Sequence, residues 1–311
     1  MSHKKNNPNA SNFSASDVDF VAIYDDLLLF IEANFASMTG ICNEIIFQYL
    51  YERRQHLVTI KQDLLPLMVY MGFSGRPYQD AIYVAAGWVL YLAAAHLLDD
   101  AQDNANMPNA NAAVAAIGAA NFILVDAPIS KNILLDILDA LGRVTFTAAN
   151  AQASEKKEGH LASRTEYFEL IIQKAAVIIA TGVWMGGRLA TDNLEKLDLL
   201  KEFGLAWGMA AQIADDCTDL VDDLSKGLYT LPVIEGLLKI SHPNHLQLKQ
   251  LVSRRSLDDN QIQTVCNILE SMGAIIECKR LVRAYQLQAM TIFSNFPGLK
   301  PLFSTYFETV L

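Results

Sequence analysis

The sequence predicts an all-α protein, a single helical domain built around a central apolar cavity. Three observations carry that reading. Apolar residues recur at helical spacing through most of the 311 residues, and no run keeps the alternation of a strand. No linker rich in Gly, Pro or Ser divides the chain into halves. Hydrophobic residues make up 52% of the sequence, enough for a substantial core.

Residues 1–16, MSHKKNNPNASNFSAS, are polar and rich in Asn and Ser, which predicts a disordered tail and leaves 17–311 as the folded domain. Apolar positions 18, 20, 21, 24, 27, 28, 30 and 31 predict a first helix, with Asp25 and Asp26 on its solvated face. Helices are expected next over 38–53 and 56–73, with Pro66 inside or near the start of the second. Gly75–Arg76–Pro77 then reads as a turn. The central helix is 81–103, AIYVAAGWVLYLAAAHLLDDAQD, in which His96 is the one clearly polar side chain before the acids. Its apolar length just reaches what a membrane span needs. Gly87 and six alanines suit close packing within protein instead, and acids make poor membrane anchors, so no transmembrane segment is expected.

Beyond it, NANMPNAN at 104–111 reads as a loop, followed by a helix to 125 and a long helix from Ser130 or Lys131 to Ala153, with Gln152 near its end. A charged linker at 156–160 precedes a helix over 165–190, with Thr165 as the candidate cap. Helix is expected over 193–223, again from Thr230–Leu231–Pro232 to before His242, and over 260–291 with a break near Gly273. Ser256 is the candidate cap of the last of these, and Asp258 and Asp259 follow it in the first turn, where acids complement the helix dipole.

Two stretches carry chemistry. Asp99, Asp100 and Asp103 close the central helix one turn apart, on one face. Much later, WGMAAQIADDCTDLVDD at 207–223 ends another small-residue helix in Asp215, Asp216 and Asp219, with Asp222 and Asp223 behind them. Carboxylates clustered beside apolar surface repel one another and resist desolvation. Magnesium relieves both costs, because it prefers oxygen ligands and takes a carboxylate or two alongside waters and substrate phosphates. Two such ends facing each other would hold several Mg2+ ions on one diphosphate.

A net charge of −10, with a pI near 5.0, argues against a general nucleic-acid binder, which needs clustered Lys and Arg. Cys42, Cys217, Cys266 and Cys278 show no zinc spacing and are expected to be reduced thiols of a cytoplasmic protein.

The two acid stretches resemble the paired aspartate-rich motifs of the trans-polyprenyl diphosphate synthases, of the class I isoprenoid synthase fold. Gln212–Ile213–Ala214–Asp215–Asp216 resembles the QxxDD start of the second motif, and 223–232, DLSKGLYTLP, its continuation. Tyr167–Phe168 with Lys174 resembles the YxxxIxxKT helix, with Ala175 in place of Thr. The resemblance spans roughly residues 45–290. It implies an isoprenoid synthase-type helical bundle, a homodimer, an allylic prenyl diphosphate substrate, and Mg2+ held by Asp99, Asp100, Asp103, Asp215, Asp216 and Asp219. It also implies diphosphate-binding roles for Lys174 and Lys226, although Lys226 precedes Gly227 where the family places the Lys after it. Gln212 would orient an acid or face a cation. Counting turns back from Asp99, Ala95, Tyr91 and Trp88 would line the prenyl tube, small near the metals and floored by Tyr91 or Trp88.

Departures from the family pattern leave the acceptor open. The stretch matching its isopentenyl diphosphate-binding GKxxRP motif is Lys61–Gln62–Asp63–Leu64–Leu65–Pro66, which keeps only one base. NANMPNAN lacks the usual arginine pair, with Arg76 a possible spatial substitute. Each lost contact of this kind is worth about 1.5–3 kcal/mol. Three functions fit these observations: a prenyltransferase whose acceptor is isopentenyl diphosphate or another nucleophile, a terpene synthase that cyclises a prenyl diphosphate, and a non-catalytic regulatory subunit.

Overall fold

The structure is a computed structural model and describes residues 18–56, 61–154, 163–254 and 256–303. The polar tail and the charged linker at 156–160 lie outside these. Among the described residues there is no strand. The helices in chain order are α1 (Phe20–Phe35), α2 (Ile41–Arg53), α3 (Leu65–Ser74), α4 (Ile82–Asp103), α5 (Met107–Val125), α6 (Lys131–Ser154) and α7 (Arg164–Ile171). They continue with α8 (Val177–Ala190), α9 (Leu194–Thr218), α10 (Leu220–Ser225), α11 (Leu231–Leu238), α12 (His245–Val252), α13 (Asp259–Ser271) and α14 (Ala274–Phe293). A π-turn, Ile172–Ala176, joins α7 to α8.

Local chemistry sets the boundaries. Asp19 caps α1 by accepting from the Val21 and Ala22 N–H groups. The expected helix 56–73 breaks at Leu64, because Pro66 in the first turn of α3 has no N–H to continue the ladder. Gly75 closes α3 in the left-handed region (φ 68°), and Gly273 separates α13 from α14 in the same conformation (φ 66°). Three expectations need correction. The loop expected over 104–111 is confined to 104–106, because Asn106 caps α5, Pro108 occupies its first turn and the helix starts at Met107. Ser163, not Thr165, caps α7, in a capping box with Glu166. Asp258, not Ser256, caps α13, in a box with Gln261.

The main core joins α1–α6 to α8, α9 and α14 around Trp88, Trp207, Phe203 and Phe303, all buried. Small residues let these helices touch backbone to backbone. A Cβ on Gly204 of α9 would lie 2.5 Å from Ala180 Cα of α8, and one on Gly208 would lie 2.7 Å from Ala176 Cα. Gly182 of α8 makes room for the Trp88 ring of α4 in the same way. Alanine- and glycine-rich patterning is therefore what allows α4, α8 and α9 to nest.

By length and composition Tyr78–Gln102, Met107–Val125 and Arg164–Ala190 are each apolar enough to cross a membrane. The apolar window of the first is 67% buried inside the bundle, whereas that of Met107–Val125 is only 33% buried.

Gly204→Ala tests the close approach. It is expected to cost about 1–3 kcal/mol in urea unfolding, because the neighbour it meets is backbone. Gly142→Ala, where a Cβ meets nothing within 4 Å, should be neutral or slightly stabilising.

Candidate active site

Asp216, at the C-terminal end of α9, is the most enclosed acid of the second cluster, 5% exposed. It accepts from Tyr167 Oη at 2.5 Å, from Gln212 Nε2 at 2.8 Å and from the Leu231 N–H that opens α11. Burial pushes its pKa up, against the pull of these three donors. Asp215, one residue earlier, keeps an accessible face inside a cleft. Burial and then the charges of Asp219 and Asp216 push it up to about 6. Asp223 is pushed up to about 6 by burial first, with Asp216 next, even though Thr230 Oγ1 donates to it at 3.2 Å.

These acids open onto a cavity of about 420 Å³ whose walls include Ala151, Tyr167, Lys174, Gln212, Asp215, Asp216, Asp219, Asp223 and Tyr229. Lys174 is the one Lys or Arg among the described lining residues, and it stands on the π-turn. Such turns recur at functional sites because the wider backbone re-aims its side chains.

The first acid cluster adjoins this cavity through α6. Ala151 lines the wall, and its neighbour Gln152 donates from Nε2 to Asp99 Oδ1 at 2.8 Å. Asp100 accepts from Asn104 Nδ2 at 2.7 Å and from Asn109 Nδ2. The described contacts thus hold Asp99 and Asp100 with neutral amides, which orient a carboxylate and leave its charge in place. The side chain of Asp103 lies outside the described residues.

The remaining expected residues divide. Ala95 is exposed, like its neighbours His96 and Leu98 in the C-terminal half of α4, and Tyr91 is half-buried with its hydroxyl on Asn121 Oδ1 at 3.2 Å. Trp88 is fully buried under Gly182 and donates to the Gln62 carbonyl, so it belongs to the core. Lys226 is exposed, pairs with Asp222 at 2.8 Å and does not line the cavity. Arg76 precedes α4, and the run of helix from Ile82 to Asp99 sets it about 25 Å or more from the acids, so it does not replace a missing arginine. Asp223, Gln152 and Asn109 were not among the expected site residues. Asp223 had a signal, since Gln212, Asp216, Asp219 and Asp223 repeat every three or four positions. The two amides had none beyond proximity to the motif.

The polyprenyl synthetase family model matches residues 63–269, well over half the chain. This chain belongs to the polyprenyl synthetase family. That family is one of prenyltransferases. A nonaprenyl diphosphate synthase of Mycobacterium tuberculosis is 24% identical over 76% of this chain and 78% of its own length. A short chain isoprenyl diphosphate synthase of Methanocaldococcus jannaschii is also 24% identical, over 43% of this chain and 45% of its own length, so the chain spans less than half of that relative. Solved structures share the isoprenoid synthase fold. A geranylgeranyl pyrophosphate synthase superposes with a TM-score of 0.81 at 16% identity, covering 94% of this chain and 98% of the other. The Corynebacterium glutamicum enzyme of that name, complexed with calcium and isoprenyl diphosphate, gives 0.73 at 21% identity over 94% and 97%.

A divalent cation fits the donor set. Hard carboxylate oxygens crowd a half-enclosed cleft, and their mutual repulsion already shows at Asp215 and Asp223. Among the described residues no three acids converge tightly enough to hold a metal unaided. Waters and diphosphate oxygens would complete the shell, as is usual for Mg2+.

Two predictions follow from the charge balance. Asp215 and Asp223 have folded-state pKa values above their unfolded ones, so the metal-free protein gains stability as pH falls from about 6 towards the ordinary carboxylate range near about 4. Mg2+ removes the same repulsion at neutral pH. Thermal melts should show Mg2+ with diphosphate raising Tm at pH 7.5, with the increment shrinking below about pH 6. Tyr167→Phe leaves a buried carboxylate short of one donor, and should cost about 1–3 kcal/mol in chemical unfolding.

Proposed function

We propose that the protein is a Mg2+-dependent prenyltransferase that ionises an allylic prenyl diphosphate and delivers the prenyl group to a nucleophile. The observation that carries this is that both acid helix ends adjoin one cavity, Asp99 through its hydrogen bond to Gln152 beside the lining Ala151, and Asp215, Asp216 and Asp219 directly. Bound metal ions would neutralise the diphosphate and stabilise it as a leaving group.

The chain's own residues do the rest. Asp99, Asp100, Asp103, Asp215 and Asp219 hold the ions. Asp216 acts largely as the anchor that fixes its neighbours, because described donors occupy both its oxygens. Lys174, which lines the same cavity, binds the diphosphate. The accessible face of Ala95 receives the prenyl chain and Tyr91 limits its length. The surrounding apolar helices keep water from the cation.

Cyclisation is the weaker reading. Trp88, Trp184, Trp207 and the phenylalanines, which would steady a cyclising cation with their π-faces, do not line the cavity, whose aromatic walls are Tyr167 and Tyr229. A regulatory role is weaker still, since a retired site has no use for a buried carboxylate with three donors. The outward face of α5 exposes Met107, Val114, Phe122 and Val125 at helical spacing, which suits burial against a second copy in a homodimer. A cytoplasmic setting, where Mg2+ and prenyl diphosphates meet, suits this chemistry.

The test is release of diphosphate from geranyl, farnesyl and geranylgeranyl diphosphate with Mg2+. Turnover should stop with EDTA and fall at least about a hundredfold in Asp215→Asn. No release from any of the three would refute the reading. Ala95→Phe should shorten the longest prenyl chain accepted, and an unchanged preference would remove Ala95 from the tube.

A further inference from the structure

The last turn of α9 carries a thiol among its acids. Cys217 follows Asp216 directly, and the Asp219 N–H donates to the Asp215 carbonyl at 2.8 Å, which closes 215–219 as one helical turn. Helix α14 packs against α9, and its Cys278 is fully buried. The Cys217 and Cys278 thiols hydrogen-bond to each other. Both pack in the core cluster that holds Tyr167, Ile213 and Leu231, beside the carboxylate that Tyr167 and the Leu231 N–H anchor. All four cysteines are free, and Cys42 and Cys266 pack against other clusters.

The two thiols differ in access. Cys217 keeps part of its surface open, whereas Cys278 is sealed. A small oxidant therefore meets Cys217 first and finds a second thiol in contact behind it. An accessible cysteine beside a resolving one is the arrangement of redox-sensing pairs. A disulfide holds its sulfurs about 2 Å apart, well inside hydrogen-bond contact, so forming it draws Cys217 towards α14. Among the described residues none of α14 lines the cavity, so the pull is away from the cavity. Asp215, Asp216 and Asp219 belong to the turn that moves. Asp216 is tied to Tyr167 of α7 at 2.5 Å, a contact that leaves little slack.

Resting on the metal-site reading above, we propose that Cys217 and Cys278 form a reversible disulfide that draws the last turn of α9 off the cavity and weakens its hold on Mg2+ and diphosphate. The oxidant is a peroxide. Cys217 Sγ attacks one peroxide oxygen, the O–O bond breaks, and the other oxygen leaves as water with the thiol proton. Cys278 Sγ then attacks the sulfenic sulfur of Cys217. The S–O bond breaks, and the hydroxyl leaves with the Cys278 proton as a second water. Two electrons have passed from the thiol pair to the peroxide, and a dithiol reductant returns them by exchange. In the reducing setting proposed above such a bond is transient, as suits a sensor. A displacement of about 1 Å costs a site of this kind about a hundredfold in function.

The experiment uses the full chain, reduced with dithiothreitol, desalted without air and then treated with hydrogen peroxide. Peptide mapping by mass spectrometry should find the Cys217–Cys278 crosslink. Calorimetry of Mg2+ with inorganic diphosphate should show affinity falling at least about tenfold on oxidation and returning with dithiothreitol. Cys217→Ala, or Cys217→Ser should the first fold poorly, should bind as the reduced chain does and ignore peroxide. Absence of the crosslink, a crosslink that leaves affinity unchanged or raises it, or a reversible peroxide effect that persists in those variants would overturn the proposal. Each of these leaves the metal-site reading standing. Failure of the reduced chain to bind Mg2+ with diphosphate would refute that reading and the proposal together.

Discussion

Carboxylates gathered at the end of an apolar helical bundle carry a repulsion that the protein's described contacts soften but do not remove. Asp216 is enclosed with three donors, while Asp215 and Asp223 remain strained towards protonation. At the other helix end, amides from Gln152, Asn104 and Asn109 orient Asp99 and Asp100 and bring no charge. A site balanced in this way suits cations, and binding of metal and diphosphate there would draw on the relief of that repulsion.

Packing makes the crowding possible. Acids from helices far apart in sequence meet only because α4, α8 and α9 nest through Gly182, Gly204 and Gly208. The same nesting buries Trp88 and Trp207, and leaves Ala95 on the exposed stretch of α4 that leads to the acids. The π-turn then brings Lys174 to the cavity wall. Core and site are therefore one construction, in which small residues set helix spacing and helix spacing sets the distance between charges.

The fold was legible because helical periodicity and small-residue runs are local signals, and both acid clusters follow from their spacing alone. What stayed hidden depends on contacts between distant segments. Gln152 could not be tied to Asp99 without knowing that α6 ends beside α4. Trp88 reads as a pocket wall when turns are counted along α4, but its ring packs into the space that a side chain at Gly182 would take. Lys226 sits in a motif-like string, yet it is the cap of α10, exposed and paired with Asp222 one turn back. Asn106 and Pro108 are a helix start that resembles a loop because both also favour turns.

The central claim is that both acid ends act on the same diphosphate through shared metal ions. Titration of Mg2+ by calorimetry, with and without inorganic diphosphate, addresses it most directly when repeated on Asp100→Ala, Asp215→Ala and the double variant. Shared ions predict that tight, multiple-ion binding appears only with diphosphate, and that either single substitution removes most of what the double removes. Independent, additive losses from the two ends, or metal binding indifferent to diphosphate, would contradict the account.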